Sequence, residues 1–246
     1  MIFFVTGGSR GIGEAIVMEV VRQGHDVGFT YLTNEKRAMD VMHAARQMRP
    51  EAKCRAYRLD VRSSAAVEEV GDRFIEDFES VDVVVANAGI NKNNLLLSMS
   101  DEEWDDVLHT NLTGTFYVCR QFLPTMLANR FGRFILISSL AHSGASGQAN
   151  YCASKAGLHG LCTSIAKEYG RKGITSNLVV PGFFDTDMTR VGMSQSNREY
   201  WIQHCPVGRL GKLEEVVHGV MFLASEKASF VSGQAIALTG GLDWAQ

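Results

Sequence analysis

The chain has 246 residues, of which 46% are hydrophobic and 21% are charged, and its net charge is −3 at pH 7. That length is enough to bury a large core, and the interspersed charges of both signs give no reason to expect a nucleic-acid partner. No run approaches 18 apolar residues and the five cysteines lack metal-ligand spacing, so we expect a cytoplasmic protein with reduced thiols, no metal and no membrane span.

Short apolar stretches alternate with longer segments of helical periodicity along the whole chain. The expected strands cover residues 2–5, 26–31, 52–59, 81–86, 132–138, 174–180 and 234–238. The expected helices lie near residues 12–23, 35–48, 64–78, 101–129, 150–170, 187–204 and 213–224. This alternation predicts a parallel sheet covered by helices on both faces, the doubly wound α/β fold. Because no linker or repeat interrupts the pattern, we expect a single domain over residues 1–246.

A glycine-rich turn follows the first expected strand and opens the first expected helix. Glycines at such a turn let backbone N–H groups at the helix N-terminus approach a pyrophosphate. The spacing departs from the commoner Gly-x-Gly-x-x-Gly, and such a turn also suits FAD or S-adenosylmethionine, or simply joins two elements. The candidate phosphate-binding residues are Gly7, Ser9, Arg10, Gly11, Ile12 and Gly13.

Tyr151 and Lys155 are four residues apart in an expected helix, so their side chains project from one face. A nearby ammonium favours the phenolate, which predicts a lowered Tyr151 pKa and a usable proton donor. The same spacing also occurs by chance in surface helices, and it gains weight only from the motifs that accompany it.

These motifs occur in the order seen in one known family, and they are spread over most of the chain. They are Thr6-Gly7-x-x-x-Gly11-x-Gly13, Asp60-Val61, Asn87-Ala88-Gly89, Asn111, Ser138-Ser139, Tyr151-x-x-x-Lys155 and Pro181-Gly182. The chain thus resembles the classical short-chain dehydrogenase/reductase family, most closely its bacterial 3-oxoacyl-acyl carrier protein reductases. Acetoacetyl-CoA reductases share much of the pattern. The resemblance implies a Rossmann fold with a seven-stranded parallel sheet in the order 3-2-1-4-5-6-7.

The resemblance also implies catalytic roles for four residues. Tyr151 would protonate the substrate carbonyl, Lys155 would hold the ribose hydroxyls, and Asn111 would connect Lys155 through water to solvent. A serine would hydrogen-bond the same carbonyl oxygen. Counting along the preceding strand points to Ser139, whereas counting back from Tyr151 points to Ser138. Because strand register fixes side-chain direction and loops tolerate deletions, Ser139 is the prediction and Ser138 the alternative.

NADP(H) is the expected cofactor. The second expected strand ends without the carboxylate that would bind an NAD ribose and repel a 2′-phosphate, and Glu35 comes too late. Arg10 lies where related NADP-dependent reductases use a basic residue, and Thr33 or Asn34 is expected to add hydrogen bonds. By resemblance, the other cofactor contacts are Asp60, Val61, Asn87, Ala88, Gly89, Tyr151, Lys155, Pro181, Gly182 and Thr186.

The implied reaction is reduction of a 3-oxoacyl thioester on acyl carrier protein, in fatty-acid or specialised acyl or polyketide biosynthesis. Basic residues expected to receive the carrier are Arg130, Arg133, Arg171 and Lys172, although such charges are more often simply solvated. A substrate lid is expected near residues 187–206, with Met193, Tyr200 and Trp201. A homotetramer is expected by resemblance, with candidate contact residues Ala156, Gly157, Gly160, Leu242 and Trp244. Alternatives are a reductase of acyl-CoA or small ketones, and a catalytically idle dinucleotide-binding sensor or scaffold.

Overall fold

The computed structural model describes residues 1–184 and 194–242 and contains one seven-stranded sheet. Its strands are β1 Ile2–Val5, β2 Asp26–Tyr31, β3 Cys54–Arg58, β4 Val83–Ala86, β5 Gly132–Ile137, β6 Ile174–Pro181 and β7 Ala235–Leu238. All neighbouring strands are parallel, and their order is β3-β2-β1-β4-β5-β6-β7. The predicted doubly wound fold and strand order are therefore confirmed.

Eight α-helices occur within the described residues. They are α1 Gly11–Arg22, α2 Glu35–Met48, α3 Ser64–Phe78, α4 Asp101–Leu108, α5 Gly114–Asn129, α6 Ala149–Tyr169, α7 Gln195–His204 and α8 Leu213–Ala224. The helix predicted over 101–129 is divided by a π-helical turn, His109–Thr113, which supplies the bulge that contains Asn111. The helix predicted over 187–204 is described only as α7, because residues 185–193 lie outside the described part of the chain.

The central strands of the sheet are buried on both faces, which explains why they are apolar runs rather than alternating patterns. Helices α1, α2 and α8 pack on one face over residues such as Phe3, Val5 and Ile135. Helices α3, α5 and α6 pack on the other face over residues such as Phe4 and Phe134.

The direction of strand order reverses between β1 and β4, which are hydrogen-bonded neighbours. At such a reversal, the connections that follow the two strands run to opposite faces of the sheet. This leaves a crevice beyond the carboxyl ends of the strands. The turns after β1, β4, β5 and β6 all lie at this edge of the sheet. No α-helix of residues 1–184 and 194–242 is long and apolar enough to cross a membrane.

Candidate active site

The glycine-rich turn after β1 brings the N-terminus of α1 close to the β1 and β4 ends. A Cβ on Gly13 would lie 2.2 Å from the Gly7 carbonyl oxygen and 2.6 Å from Asn87 Nδ2, so this position accepts only glycine without a shift. Gly7 and Gly11 have positive φ angles of 68° and 59°. Arg10 makes no side-chain capping bond to α1 within the described residues, whereas Asn34, Ser63 and Ser100 cap α2, α3 and α4. The uncapped N–H groups of α1 suit a dinucleotide phosphate.

Thr6 and Asn87 fasten this turn to the loop that follows β4. The Thr6 hydroxyl oxygen accepts hydrogen bonds of 2.9 Å from the backbone N–H groups of Asn87 and Ala88. Asn87 Nδ2 donates to the carbonyl oxygens of Thr6 and Gly7, at 3.0 and 3.1 Å. A Cβ on Gly89 would lie 3.5 Å from Lys155 Nζ, so a glycine keeps the backbone close to that ammonium. The crevice therefore has a glycine-lined wall beside the Lys155 ammonium. This arrangement fits the ribose of a nicotinamide dinucleotide.

Lys155 lies on α6 and is 4% exposed. Its Nζ donates a 2.7 Å hydrogen bond to the Ile137 carbonyl oxygen and lies 5.7 Å from the centroid of the Tyr151 ring. Burial lowers the pKa of Lys155 to about 8, because the ammonium is removed from water. An ammonium has three N–H donors, so Lys155 is equipped to hold ribose hydroxyls.

The pKa of Tyr151 differs from the prediction. The sequence predicts that Lys155 lowers it, but burial raises the pKa of the phenol, opposed in part by the neighbouring Ser139 side chain. Burial is the largest of the influences on the phenol, even though the Lys155 ammonium lies over the ring with Nζ 5.7 Å from its centroid. Tyr151 is therefore protonated at neutral pH, which is the form that a proton donor needs.

The two candidate serines have different surroundings. Ser138 is buried, and its Oγ donates a 3.2 Å hydrogen bond to the Lys155 carbonyl oxygen, which fastens the end of β5 to α6. Ser139 is partly exposed; its Oγ accepts from Ala141 N at 3.2 Å, and its side chain lowers the Tyr151 pKa in opposition to burial. The adjacent positions point to opposite sides, as their alternation along an extended backbone requires.

Asn111 is fully buried in the π-helical turn. Its Oδ1 accepts from Ile90 N at 2.8 Å, and its Nδ2 donates to Ile90 O at 2.9 Å and to Ser154 Oγ at 3.0 Å. The side chain thus holds the loop after β4 against α6. The water-mediated link from Asn111 to Lys155 stays a prediction.

The remaining predicted cofactor contacts line the same edge of the sheet. Asp60 and Val61 follow β3, and Arg62 donates hydrogen bonds to both Asp60 carboxylate oxygens and lowers the Asp60 pKa. Gly182 follows β6 and donates from its backbone to Leu238 O at 3.0 Å. Arg10 and Thr33 are exposed near the turn, but the Asn34 side chain accepts from Arg37 N and caps α2.

The predicted lid is described in part. The Trp201 ring of α7 stacks on Phe183 with ring centroids 4.3 Å apart, directly after Gly182. Tyr200 is 52% exposed. Thr186, Met193 and Trp244 lie outside the described residues.

One predicted docking residue is placed differently from expectation. Arg133 is 4% exposed, its Nη1 donates to the carbonyl oxygens of Gly132 and Gly173, and its guanidinium lies 4.2 Å from the Phe131 ring centroid. Arg133 is the second residue of the buried strand β5, so it faces the protein interior and does not belong to a docking surface. Arg130, Arg171 and Lys172 are exposed in the connections that precede β5 and β6.

Two residues to which the sequence assigned no role contribute to the site. Thr6 joins the β1 and β4 turns, as described above. Asn150, which directly precedes Tyr151, is fully buried and hydrogen-bonded to three backbone groups. An amide residue at the start of a helix is a common surface feature, so the sequence alone gave no signal for its burial.

Comparisons with known proteins cover nearly the whole chain. A family model described as enoyl-(acyl carrier protein) reductase matches residues 7–243. The 3-oxoacyl-(acyl-carrier-protein) reductase FabG of Salmonella typhimurium is 40% identical over 242 residues, covering 98% of this chain and 96% of that relative. The Staphylococcus epidermidis protein of the same name is 38% identical over 239 residues, covering 97% of each chain. A crystal structure of levodione reductase matches with a TM-score of 0.94 at 29% identity, covering 98% of this chain and 96% of that one.

Proposed function

This chain belongs to the short-chain dehydrogenase/reductase family of oxidoreductases, and on that premise we propose that it reduces a 3-oxoacyl thioester to the 3-hydroxyacyl thioester. It is an oxidoreductase acting on CH–OH and C=O groups with a nicotinamide dinucleotide. The observation that carries the proposal is the placement of the Tyr151 phenol and the buried Lys155 ammonium on one face of α6, with Nζ 5.7 Å from the ring centroid, next to the Ser139 side chain that acts on the phenol. The names of the relatives described above support the substrate class.

The roles of the site residues follow from their protonation and surroundings. Tyr151 gives its phenolic proton to the substrate carbonyl oxygen, and Ser139 hydrogen-bonds the same oxygen as negative charge develops there. Lys155 stabilises the phenolate that remains, because its charge lies in a low-dielectric environment. NADPH, when bound, would supply the hydride to the carbonyl carbon. Asn111 positions the loop after β4, which forms one wall of the crevice, by hydrogen bonds with both the N–H and the carbonyl oxygen of Ile90.

NADPH is the cofactor that we propose, in preference to NADH. Strand β2 ends at Tyr31 and lacks the terminal carboxylate that binds an NAD ribose and repels a 2′-phosphate; the Glu35 carboxylate acts instead on the Tyr31 phenol, whose pKa is raised by burial and by this carboxylate. Arg10 is exposed at the glycine turn, next to the uncapped N-terminus of α1. A guanidinium at this place supplies the charge that a phosphate requires.

A carrier protein is proposed to dock on Arg130, Arg171 and Lys172. The Gly173 and Arg130 backbones are in contact, so the two connections form one basic surface. This surface lies at the amino ends of β5 and β6, whereas Ser139 follows the carboxyl end of β5. The six residues of β5 separate these edges by about 20 Å. A carrier docked there would face away from Tyr151 of the same subunit and would serve a neighbouring one.

A homotetramer is proposed as the assembly. Leu97 and Phe230 are almost fully exposed, at 99% and 103%, and such side chains favour contact with another chain. Ala156 and Gly160 of α6 are exposed as well, and a Cβ on Gly160 would meet nothing within 4 Å among the described residues. Gly157 instead packs inside the subunit, where a Cβ would lie 2.7 Å from Leu112.

A substrate panel tests the proposed function. NADPH oxidation would be followed with acetoacetyl groups on carrier protein, on coenzyme A and on a short thioester mimic, and with a crotonyl thioester. We expect fastest turnover of the carrier-bound ketone, slower turnover with NADH, and loss of carrier-dependent turnover in Arg130→Glu with the short mimic unaffected. Fastest turnover of the coenzyme A ester would indicate an acetoacetyl-CoA reductase, and of the crotonyl thioester an enoyl reductase. Cofactor binding without turnover of any acceptor would indicate an idle sensor or scaffold.

The serine assignment predicts unequal effects of two alanine substitutions. Ser139→Ala should lower turnover about 100-fold, because it removes a hydrogen bond to the developing oxyanion. Ser138→Ala should keep most of the turnover and lower the melting temperature, because its hydroxyl holds β5 to α6. Steady-state rates and thermal melts of both variants measure this, and the reverse order of rates would transfer the role to Ser138.

A further inference from the structure

Asn150 is a buried amide at the start of α6, one residue before Tyr151. Its Oδ1 accepts a 2.7 Å hydrogen bond from Tyr151 N. Its Nδ2 donates 3.0 Å hydrogen bonds to the carbonyl oxygens of Lys92 and Glu103. One side chain therefore joins three segments: the loop after β4, helix α4 and the helix that carries Tyr151.

The backbone that leads into α6 is hydrogen-bonded to the same loop after β4. Asn94 N donates to Gly147 O at 2.9 Å, and Gln148 Nε2 donates to Asn93 Oδ1 at 3.2 Å. Asn94 and Gln148 form an isolated parallel bridge. The first turn of α6 is thus fixed against the loop that continues from Asn87–Gly89, the glycine-lined wall of the crevice.

We propose that Asn150 is a positioning residue for the reaction, which sets the Tyr151 hydroxyl relative to the loop after β4. The backbone N–H of Tyr151 belongs to the first turn of α6, where helix N–H groups have no intrahelical acceptor. Asn150 satisfies this N–H and anchors it to Lys92 and Glu103. The phenolic oxygen lies at the end of a long side chain, so a small rotation of the first turn moves it by a larger distance. A displacement of about 1 Å at a reacting group costs about 100-fold in rate.

The test uses Asn150→Asp, which keeps the acceptor for Tyr151 N and replaces the amide donor by an oxygen. An ionised carboxylate facing the Lys92 and Glu103 carbonyl oxygens repels both, whereas a protonated carboxyl restores one donor. Burial raises the pKa of a carboxyl, so protonation returns as pH falls. The nearby charged groups have partners of their own: Lys92 Nζ contacts Asp106, and the Glu103 carboxylate accepts from Ser100 N and Asn94 Nδ2.

We expect turnover of Asn150→Asp to fall about 100-fold at about pH 8 and to recover several-fold toward about pH 6, relative to the parent protein at each pH. NADPH affinity, measured by fluorescence, should change little, because the loss lies in the placement of the proton donor. Asn150→Ala should show the same loss without the recovery.

Asn177→Asp is the matched control. Asn177 is a buried amide on β6 that donates to Val231 O at 2.7 Å and accepts from Gln234 N at 3.1 Å. It should lose comparable thermal stability but keep most of its turnover. Equal losses of turnover in both aspartate variants, or full turnover in Asn150→Asp, would overturn the proposal.

The inference rests on the proposed function for its assay, and the two failures are distinguishable. A parent protein that does not reduce any ketone contradicts the proposed function. If the parent protein reduces a ketone and Asn150→Asp reduces it at the same rate, only the proposed role of Asn150 is contradicted. Should Asn150→Ala fail to fold, the pH series on Asn150→Asp, at pH values where thermal melts show it folded, decides the matter.

Discussion

Replacing Tyr151 by Phe is expected to lower ketone turnover about 1,000-fold, because it removes the proton that the carbonyl oxygen receives. The ring and its packing are kept, so NADPH binding should weaken by no more than the loss of one hydroxyl contact, far less than turnover. Burial raises the pKa of Tyr151, so the parent protein holds this proton at neutral pH. Rates of NADPH oxidation with an acetoacetyl thioester, together with fluorescence titration of the cofactor, measure both quantities.

Tyr169→Phe provides the control for this substitution. Tyr169 ends the same helix, so the chemical change and its effect on helix propensity are alike, whereas the site lies at the other end of α6. It should retain parental turnover. Turnover of Tyr151→Phe within about tenfold of the parent would remove Tyr151 from the role of proton donor.

The fold could be predicted from the sequence because its signals are local. Apolar runs such as residues 2–5 and 132–138 are long enough to mark strands buried on both faces, and the intervening periodicity marks the helices. Boundaries that depend on tertiary contacts were less predictable. The π-helical turn His109–Thr113 interrupts a continuous helical pattern, and nothing in that pattern distinguishes it from an ordinary helix.

The sequence predicted that the side chains of the candidate site lie together at one edge of the sheet, but it did not predict their electrostatics. Spacing placed Tyr151 and Lys155 on one helix face, but it could not show that burial outweighs the effect of the Lys155 ammonium on the phenol. The sign of a pKa shift depends on burial, which spacing does not give. Arg133 shows the same limit. The sequence indicates a surface charge, yet Arg133 is the second residue of β5 and is buried between neighbouring strands.

Lys155→Met is expected to abolish turnover and to stabilise the protein in the absence of cofactor. Burial lowers the pKa of Lys155 to about 8 from a usual value near 10.5. Below pH 8 the ammonium is charged in both the folded and the unfolded chain, and its burial costs roughly 3 kcal/mol of folding free energy. Losing the bond to Ile137 O leaves a buried carbonyl unpaired, at a cost of about 1–3 kcal/mol. We therefore expect a net gain of about 1 kcal/mol at about pH 7.

The pH dependence of that gain identifies its cause. Between about pH 8 and pH 10.5 the unfolded chain binds more protons than the folded one, so the parent protein becomes more stable as pH rises through this window. The advantage of Lys155→Met should therefore disappear by about pH 10 and turn into a deficit from the lost hydrogen bond. Urea unfolding at several pH values measures it, and Lys167→Met, at an exposed position of the same helix, should change stability little at any pH. A gain that did not fade with rising pH would mean that the stabilisation comes from packing of the methionine and not from removal of a buried charge. In that case the buried charge of Lys155, which stabilises a phenolate at Tyr151, would not lower the free energy of unfolding.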